Sequence, residues 1–451
     1  MINTSSGASL LGSLGQANYA AAKDSVAAVT LVAAAELGRY GITVNAIATA
    51  GARSAADAGK ECAAPGVLAR DPPKLRGGVS MQIRRRRLAS AACGLMVAIA
   101  LSASALAANA AAATWNVAYP PYSNPNGGVP YAPLLGTGAI TPSDVWAVGE
   151  VSGSPLTENW NGSKWTSVAL PSGPCSVFEN SCILTGVSGD AAGDVFAVGH
   201  ATINSDSAAG WVDEPLAFHW NGSAWSPMTL PSAVTPFALE SIEAFSPTDA
   251  WAVGVGPSAS GTSTVATAVQ WNGSSWTEVT TPISTANSLS INAISGSSPN
   301  DVWVVGETST SGYRDRQVTS VIMHYNGTSW SLSNVPDNSG LISVDAVSPS
   351  DAWAVAADGS VLSWNGSAWT VQTQESGAKL VQALSPTDVW VGGIVSLGHY
   401  NGSAWSTTPT PSTFNAFSGG AALAPGHVWF AGISYLSNGD EVPAVLATSN
   451  G

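Results

Sequence analysis

Charge is the scarcest property of this chain: only 10% of its 451 residues are Asp, Glu, Lys or Arg, with 15 basic residues against 29 acidic ones. Eleven of the 15 lie before Ala108, so the rest of the chain sets Lys164, Arg314, Arg316 and Lys379 against 24 acids. A surface of that sign repels phosphate backbones and anionic lipid, which excludes nucleic acid as a partner. It leaves cationic partners, or neutral ligands held by stacking and hydrogen bonds. Histidine and cysteine are rarer still, at five and four, and no close His/Cys grouping with metal-ligand spacing occurs. Long apolar runs are confined to one stretch near residue 95. Tryptophan is abundant, and all 18 lie beyond Ala108.

The single apolar run belongs to "MQIRRRRLASAACGLMVAIALSASALAANA", Met81 to Ala110. Arg84 to Arg87 form a basic head, Leu88 to about Leu101 an apolar stretch, and small residues follow, the three-part pattern of a secretory signal peptide. Cleavage is expected after Ala107 or Ala110 and the product secreted, to the medium or the cell surface; uncleaved, the segment would be a signal anchor. After cleavage only Cys175 and Cys182 remain, in "CSVFENSC", and an oxidising compartment makes them an expected disulfide.

Beyond residue 110 the chain repeats. "DVWAVG" from Asp144 recurs in variant form from Asp194, Asp249, Asp301, Asp351, Asp388 and His427, at spacings of 37 to 55 residues. In phase with it, an aromatic, Asn-Gly, two residues and Trp occur six times, from "WNGSKW" at Trp160 to "YNGSAW" at Tyr400. Asn-Gly between apolar runs is a hairpin signal, and the Pro-x-Asp turns at five of the seven hexapeptides are another. Each repeat therefore reads as four antiparallel strands, one propeller blade, and the expected fold is all-β with seven blades. The seventh repeat lacks a fourth strand, which "TWNVAYP" from Thr114 to Pro120 supplies. That closure removes an open sheet edge and places Gly451 near the chain's natural end. The six Asn-Gly-Ser/Thr sequences are formal glycosylation acceptors, read first as turns. The pattern resembles the kelch and galactose-oxidase propellers, their apolar-Gly-Gly strand matching "DVWAVG" and their Tyr…Trp hairpin matching "WNGSSW".

Ahead of the signal-like segment, "INTSSGASLLGSLGQANYAAAKDSVAAVTLVAAAELGRYGITVNAIATAGAR" resembles the C-terminal half of a short-chain dehydrogenase/reductase. Ser6, Tyr19 and Lys23 match that family's catalytic Ser and Tyr-x-x-x-Lys. The resemblance implies that Lys23 lowers the Tyr19 phenol for proton exchange with a carbonyl while Ser6 holds the oxygen. No glycine-rich dinucleotide turn precedes Ser6, and Thr49 stands where the family has proline. Residues 1–53 are thus read as an incomplete α/β fragment, 54–80 as a disordered linker and 81–110 as the signal. Residues 111–451 form the propeller, and the functional chain is expected to start at Met81.

Four-stranded blades put the Pro-x-Asp and Asn-Gly turns on one face and the variable loops on the other. Those loops, residues 200–215, 255–266, 307–320 and 432–443, hold the ligand-binding candidates Trp211, Asp213, Glu214, Tyr313, Arg314, Arg316 and Tyr435. His219, His324 and His399 each precede a hairpin aromatic and read as repeat positions, so no metal and no other cofactor is expected. A copper-radical oxidase would need a convergent Tyr, His and Cys set that is not visible. The expected function is a secreted, monomeric, non-catalytic module that binds extracellular glycan or protein through the long-loop face. The alternative is an oxidoreductase, residing in residues 1–53 or in a copper-type site on the propeller.

Overall fold

The computed structural model describes residues 2–6, 45–49, 115–121, 132–171, 181–204, 211–234, 237–258, 263–283, 288–310, 317–436 and 440–448. The chain divides into two compact units, residues 1–94 and 95–451. In the first, Ile2–Ser6 and Asn45–Thr49 pair in parallel, in register from Ile2 with Asn45 to Ser6 with Thr49. Parallel neighbours need a long crossover between them, as an α/β unit provides. The signal-like segment at 81–110 lies outside the described residues, and no helix among those described is long and apolar enough to cross a membrane.

The second unit is a seven-bladed β-propeller. Its 28 strands form seven four-stranded antiparallel sheets. The third blade shows the pattern: Ala238–Ser246 innermost, then Asp249–Pro257, Thr264–Trp271 and Trp276–Val279. The seven inner strands are Leu134–Thr141, Ser181–Ala191, Ala238–Ser246, Leu289–Ser298, Leu341–Ser348, Ala378–Ser385 and Phe414–Ala424. Each packs against the next, and the seventh packs against the first, which closes the ring. The last blade is completed by Trp115–Ala118, antiparallel to Glu441–Thr448 with Val117 opposite Leu446. The blade count and the closing strand are those read from the repeats.

The two recurrent peptides hold adjacent blades together. In the first five blades the aromatic of the hexapeptide meets the hairpin aromatic pair of the following blade, as with Trp303 against Trp364 and Trp369 at 5.1 and 5.3 Å. Trp115, on the closing strand, takes the same place against Trp390 at 5.6 Å. Such tilted and edge-on contacts suit the quadrupoles of the rings. The turn chemistry is equally regular: Asn272 Oδ1 accepts from the Ser274 N–H, the Ser274 hydroxyl and the Ser275 N–H, at 3.0, 2.8 and 2.9 Å. Gly273 follows at φ +88°, a left-handed conformation that costs glycine nothing.

The final glycine of the hexapeptide has a packing cause. In six blades the inner strand carries a bulge one residue after its pairing with that glycine, for example between Leu239 and Ser241 opposite Gly254, and in the fifth Leu341 pairs with Ala356 ahead of the same bulge. A Cβ on Gly254 would lie 1.9 Å from the Ala238 oxygen. Gly149, Gly199, Gly306 and Gly432 meet the same obstruction within 2.0 Å.

Candidate functional site

The inner strands enclose a central cavity of about 700 Å³. Two levels of side chain line it. The upper level is the bulged residue of each inner strand, near the strand's start and therefore on the long-loop face; Thr185, Glu240 and Asn292 stand there. Lys379 holds the corresponding bulge of the sixth blade but does not line the cavity. Three residues along, the lower level pairs opposite the hexapeptide aromatic: Ser188, Glu243, Ser295, Asp345 and Gln382.

Most of these polar groups lock one blade to the next. Thr185 Oγ1 donates to the Leu239 carbonyl at 2.9 Å and Asn292 Nδ2 to the Leu341 carbonyl at 2.6 Å. Ser188 Oγ accepts from the Ala244 N–H at 3.0 Å, Ser295 Oγ from that of Ala346 at 3.1 Å, and Asp345 Oδ2 from that of Ala383 at 2.7 Å. Ser295 also donates to Asp345 Oδ1 at 3.1 Å. Glu243 is the exception: among the described residues its carboxyl has no hydrogen-bond partner.

The cavity raises carboxyl pKa values. Burial pushes Glu243 up to about 8, and the charge of Asp345 adds to it. Asp345 rises to about 6 because desolvation outweighs its hydrogen bonds from Ala383, Ser295 and Ala346. Glu240 rises to about 7, by burial first and then by the charge of Asp213. All three keep some exposure and all three line the cavity, so a ligand entering the channel would meet them. His200 lines the same space, and its Nδ1 is buried with no partner among the described residues.

The sequence-derived candidates are only partly brought together. Trp211, Asp213 and Glu214 sit in a strand, Trp211–Trp220, and not in a loop. They pair with Asn204, Thr202 and Ala201, because the second and third strands of this blade run on past the sheet's usual length. Asp213 accepts from the Thr202 hydroxyl at 2.8 Å and acts electrostatically on Glu240, but it does not line the cavity. Tyr435 ends the strand His427–Tyr435, is 47% exposed, and its N–H donates to Asn415 Oδ1 at 3.0 Å. Tyr313, Arg314 and Arg316 lie outside the described residues, as do Cys175, Tyr19 and Lys23. Cys182 is buried in the inner strand of the second blade, and Ser6 ends the first strand of the N-terminal unit.

The repeat histidines have a structural task. His219, His324 and His399 bond through Nε2 to Asp194, Asp301 and Asp388 at 2.5, 2.7 and 2.9 Å. Asn159 and Gln270 bond in the same way to Asp144 and Asp249 in the first and third blades. The channel carboxyls Glu240, Glu243 and Asp345 are absent from the candidates read from sequence. For Glu243 and Asp345 the signal is present there all the same, since "ALESIEAFS" and "LISVDAVS" place an acid where the other inner strands have glycine, alanine, serine or glutamine.

Residues 1–62 match the short chain dehydrogenase family. Over 69 residues this part is 54% identical to the hydroxyacyl-CoA dehydrogenase ChsB1 of Mycobacterium tuberculosis, covering 15% of this chain and 22% of that protein. The chain thus spans about a fifth of the curated relative's length, 22%. The propeller is similar to a solved structure of YCF48 bound to D1 peptide, with a TM-score of 0.50 and 14% identity over 74% of this chain and 96% of that one. It is equally similar to the WD40 β-propeller domain of Doa1, with a TM-score of 0.50 and 13% identity over 74% and 97%. At such identities the likeness is one of fold.

Proposed function

We propose that the propeller is an exported, non-catalytic binding module that engages an extracellular partner through its long-loop face. The observation that carries this reading is the convergence, on one face, of variable hairpins, a channel mouth and exposed apolar side chains. Ile394 and Val395, 48% and 57% exposed, belong to the short loop between the second and third strands of the sixth blade, and Tyr435 and Leu436 to the equivalent loop of the seventh. The opposite face carries near-identical tight turns with little room for discrimination. Exposed aliphatic groups favour a protein over a glycan, because they offer sugar hydroxyls no hydrogen bonds. Both solved relatives are propellers, and one of them, YCF48, holds a bound peptide.

Export is supported by the Met81–Ala110 pattern, and with it a disulfide between Cys175 and buried Cys182. Glycan binding remains the lesser form of the same proposal. The test is a photo-cross-linking side chain placed at Val395 and, separately, at exposed Ser367 on the tight-turn face, in producing cells. Protein adducts confined to Val395 support the reading; equal adducts at both sites, or none, overturn it.

The family match at residues 1–62 favours a second reading, an oxidoreductase acting on a hydroxyacyl thioester. Ser6, Tyr19 and Lys23 would then work with a nicotinamide cofactor. Turnover of a hydroxyacyl-CoA by the full chain, abolished by Tyr19→Phe, would establish it.

A further inference from the structure

We infer that the channel mouth receives a single basic side chain, Arg or Lys, from an otherwise apolar segment of the partner polypeptide. This rests on the protein-binding reading above and names the chemistry of the ligand.

Three observations converge on it. First, Glu240 stands at the mouth with the charge of Asp213 acting on it, and Glu243 and Asp345 line the cavity further in. The one basic side chain at that upper level, Lys379, is not among the residues lining the cavity. Second, Glu243 is enclosed by the inner strands yet bonded to nothing among the described residues. Its counterparts Ser188, Ser295 and Asp345 each accept an N–H from the following blade. Glu243 keeps some exposure to the channel, so a cation entering it can reach the carboxylate and pair with it. Third, the apolar ledge adjoins the same face. The crossing from the sixth to the seventh blade ties its two halves together: Thr410 N–H donates to the Val395 carbonyl at 3.3 Å, and Ser434 Oγ donates to the Thr413 carbonyl. Three residues of chain span at most about 11 Å, so Val395 and the Tyr435 turn belong to one surface.

The depth of the site sets the length of the ligand's side chain. Glu240 and Glu243 are three residues apart on one extended strand, or about 10 Å. A long, flexible cationic side chain entering from the rim can reach between them, whereas a backbone ammonium cannot. Electrostatic linkage gives the site a pH signature. Glu240 faces Asp213 and lies in the cavity that His200 also lines, while Glu243 faces Asp345. These carboxyls hold protons near neutrality, and a bound cation would displace them, so affinity should rise between pH 6 and pH 8.

The experiment uses the full chain and octapeptides carrying a neutral dye, with a central Arg, Lys, citrulline or Glu flanked by leucines, read by fluorescence anisotropy. The Arg and Lys peptides should bind, citrulline at least tenfold more weakly, and Glu not measurably. Glu240→Gln and Glu243→Gln should each weaken the Arg peptide at least fivefold, with the near-ultraviolet tryptophan dichroism unchanged as the folding control. Ile394→Ser should weaken every binding peptide alike. Equal binding of Arg and citrulline, or affinities untouched by both Glu→Gln variants, overturns the inference. If all four peptides bind and only Ile394→Ser matters, the long-loop face still binds protein and only the basic-side-chain site is lost. If no peptide binds and Val395 yields no adduct, both readings fall.

Discussion

The Asp301–His324 pair shows what a single residue contributes here. Asp301 is 4% exposed, accepts from His324 and from the Ser297 hydroxyl, and starts the strand that carries Trp303. His324 in turn stacks on the Trp303 ring at 4.0 Å and 18°. Removing the imidazole strands a buried carboxylate, so His324→Ala should cost about 1–3 kcal/mol. His324→Asn should recover much of that, because Asn159 bonds to Asp144 at 2.8 Å in the equivalent place. Urea unfolding of the two variants measures the difference; equal losses would show that stacking, and not the hydrogen bond, is what His324 supplies. Trp303 itself is 1% exposed and touches aromatics of two blades. Trp303→Ala should cost about 3–5 kcal/mol by the same measurement.

At the scale of the element, the inner and closing strands show what the chain makes legible and what it hides. The hexapeptide and the hairpin are readable because turns and inter-blade aromatics demand specific residues, and each recurs several times. "TWNVAYP" is readable as a closing strand because Trp115 occupies a repeat position whose partner, Trp390, is fixed by the same rule. The inner strand is opaque for a different reason. Both its faces are interior, one against the neighbouring blade and one toward the channel, so alternation of Ile242 with Glu243 looks like the ordinary half-solvated strand. The bulge at Glu240 also shifts the alternation by one residue, which moves an acid onto the rim. Trp211, Asp213 and Glu214 read as a loop because their composition varies, while the backbone pairing that extends this hairpin leaves no compositional trace. The closing strand can be tested directly. A chain beginning at Pro121 would leave the Glu441–Thr448 edge unpaired. It should melt at lower temperature and dimerise by edge pairing, visible in thermal scans and size-exclusion chromatography. An unchanged monomer would show that Trp115–Ala118 merely covers the blade.

For the whole molecule, the scarcity of charge hides a concentration of it. Glu240, Glu243 and Asp345 have pKa values raised to about 7, 8 and 6 in the cavity, and Glu158 rises to about 7 in the first blade. Burial drives the Glu158 shift against a hydrogen bond from Ser167, and its Oε2 is buried with no partner among the described residues. In the unfolded chain these groups ionise near pH 4 to 4.5. Between that pH and the raised values the folded state therefore holds more protons than the unfolded state, and the unfolding free energy falls as pH rises. Their full contribution is present below about pH 4 and is lost progressively up to about pH 8. Glu243, the most strongly raised of the four, should account for the largest share of that loss. Thermal melts from pH 5 to pH 8.5 should show a declining midpoint, and Glu243→Gln should flatten the decline while raising stability at the alkaline end. A midpoint that rises over this range would mean that the channel carboxyls are already compensated by a cation in the free protein. The basic side chain inferred for the partner would then have no charge left to neutralise.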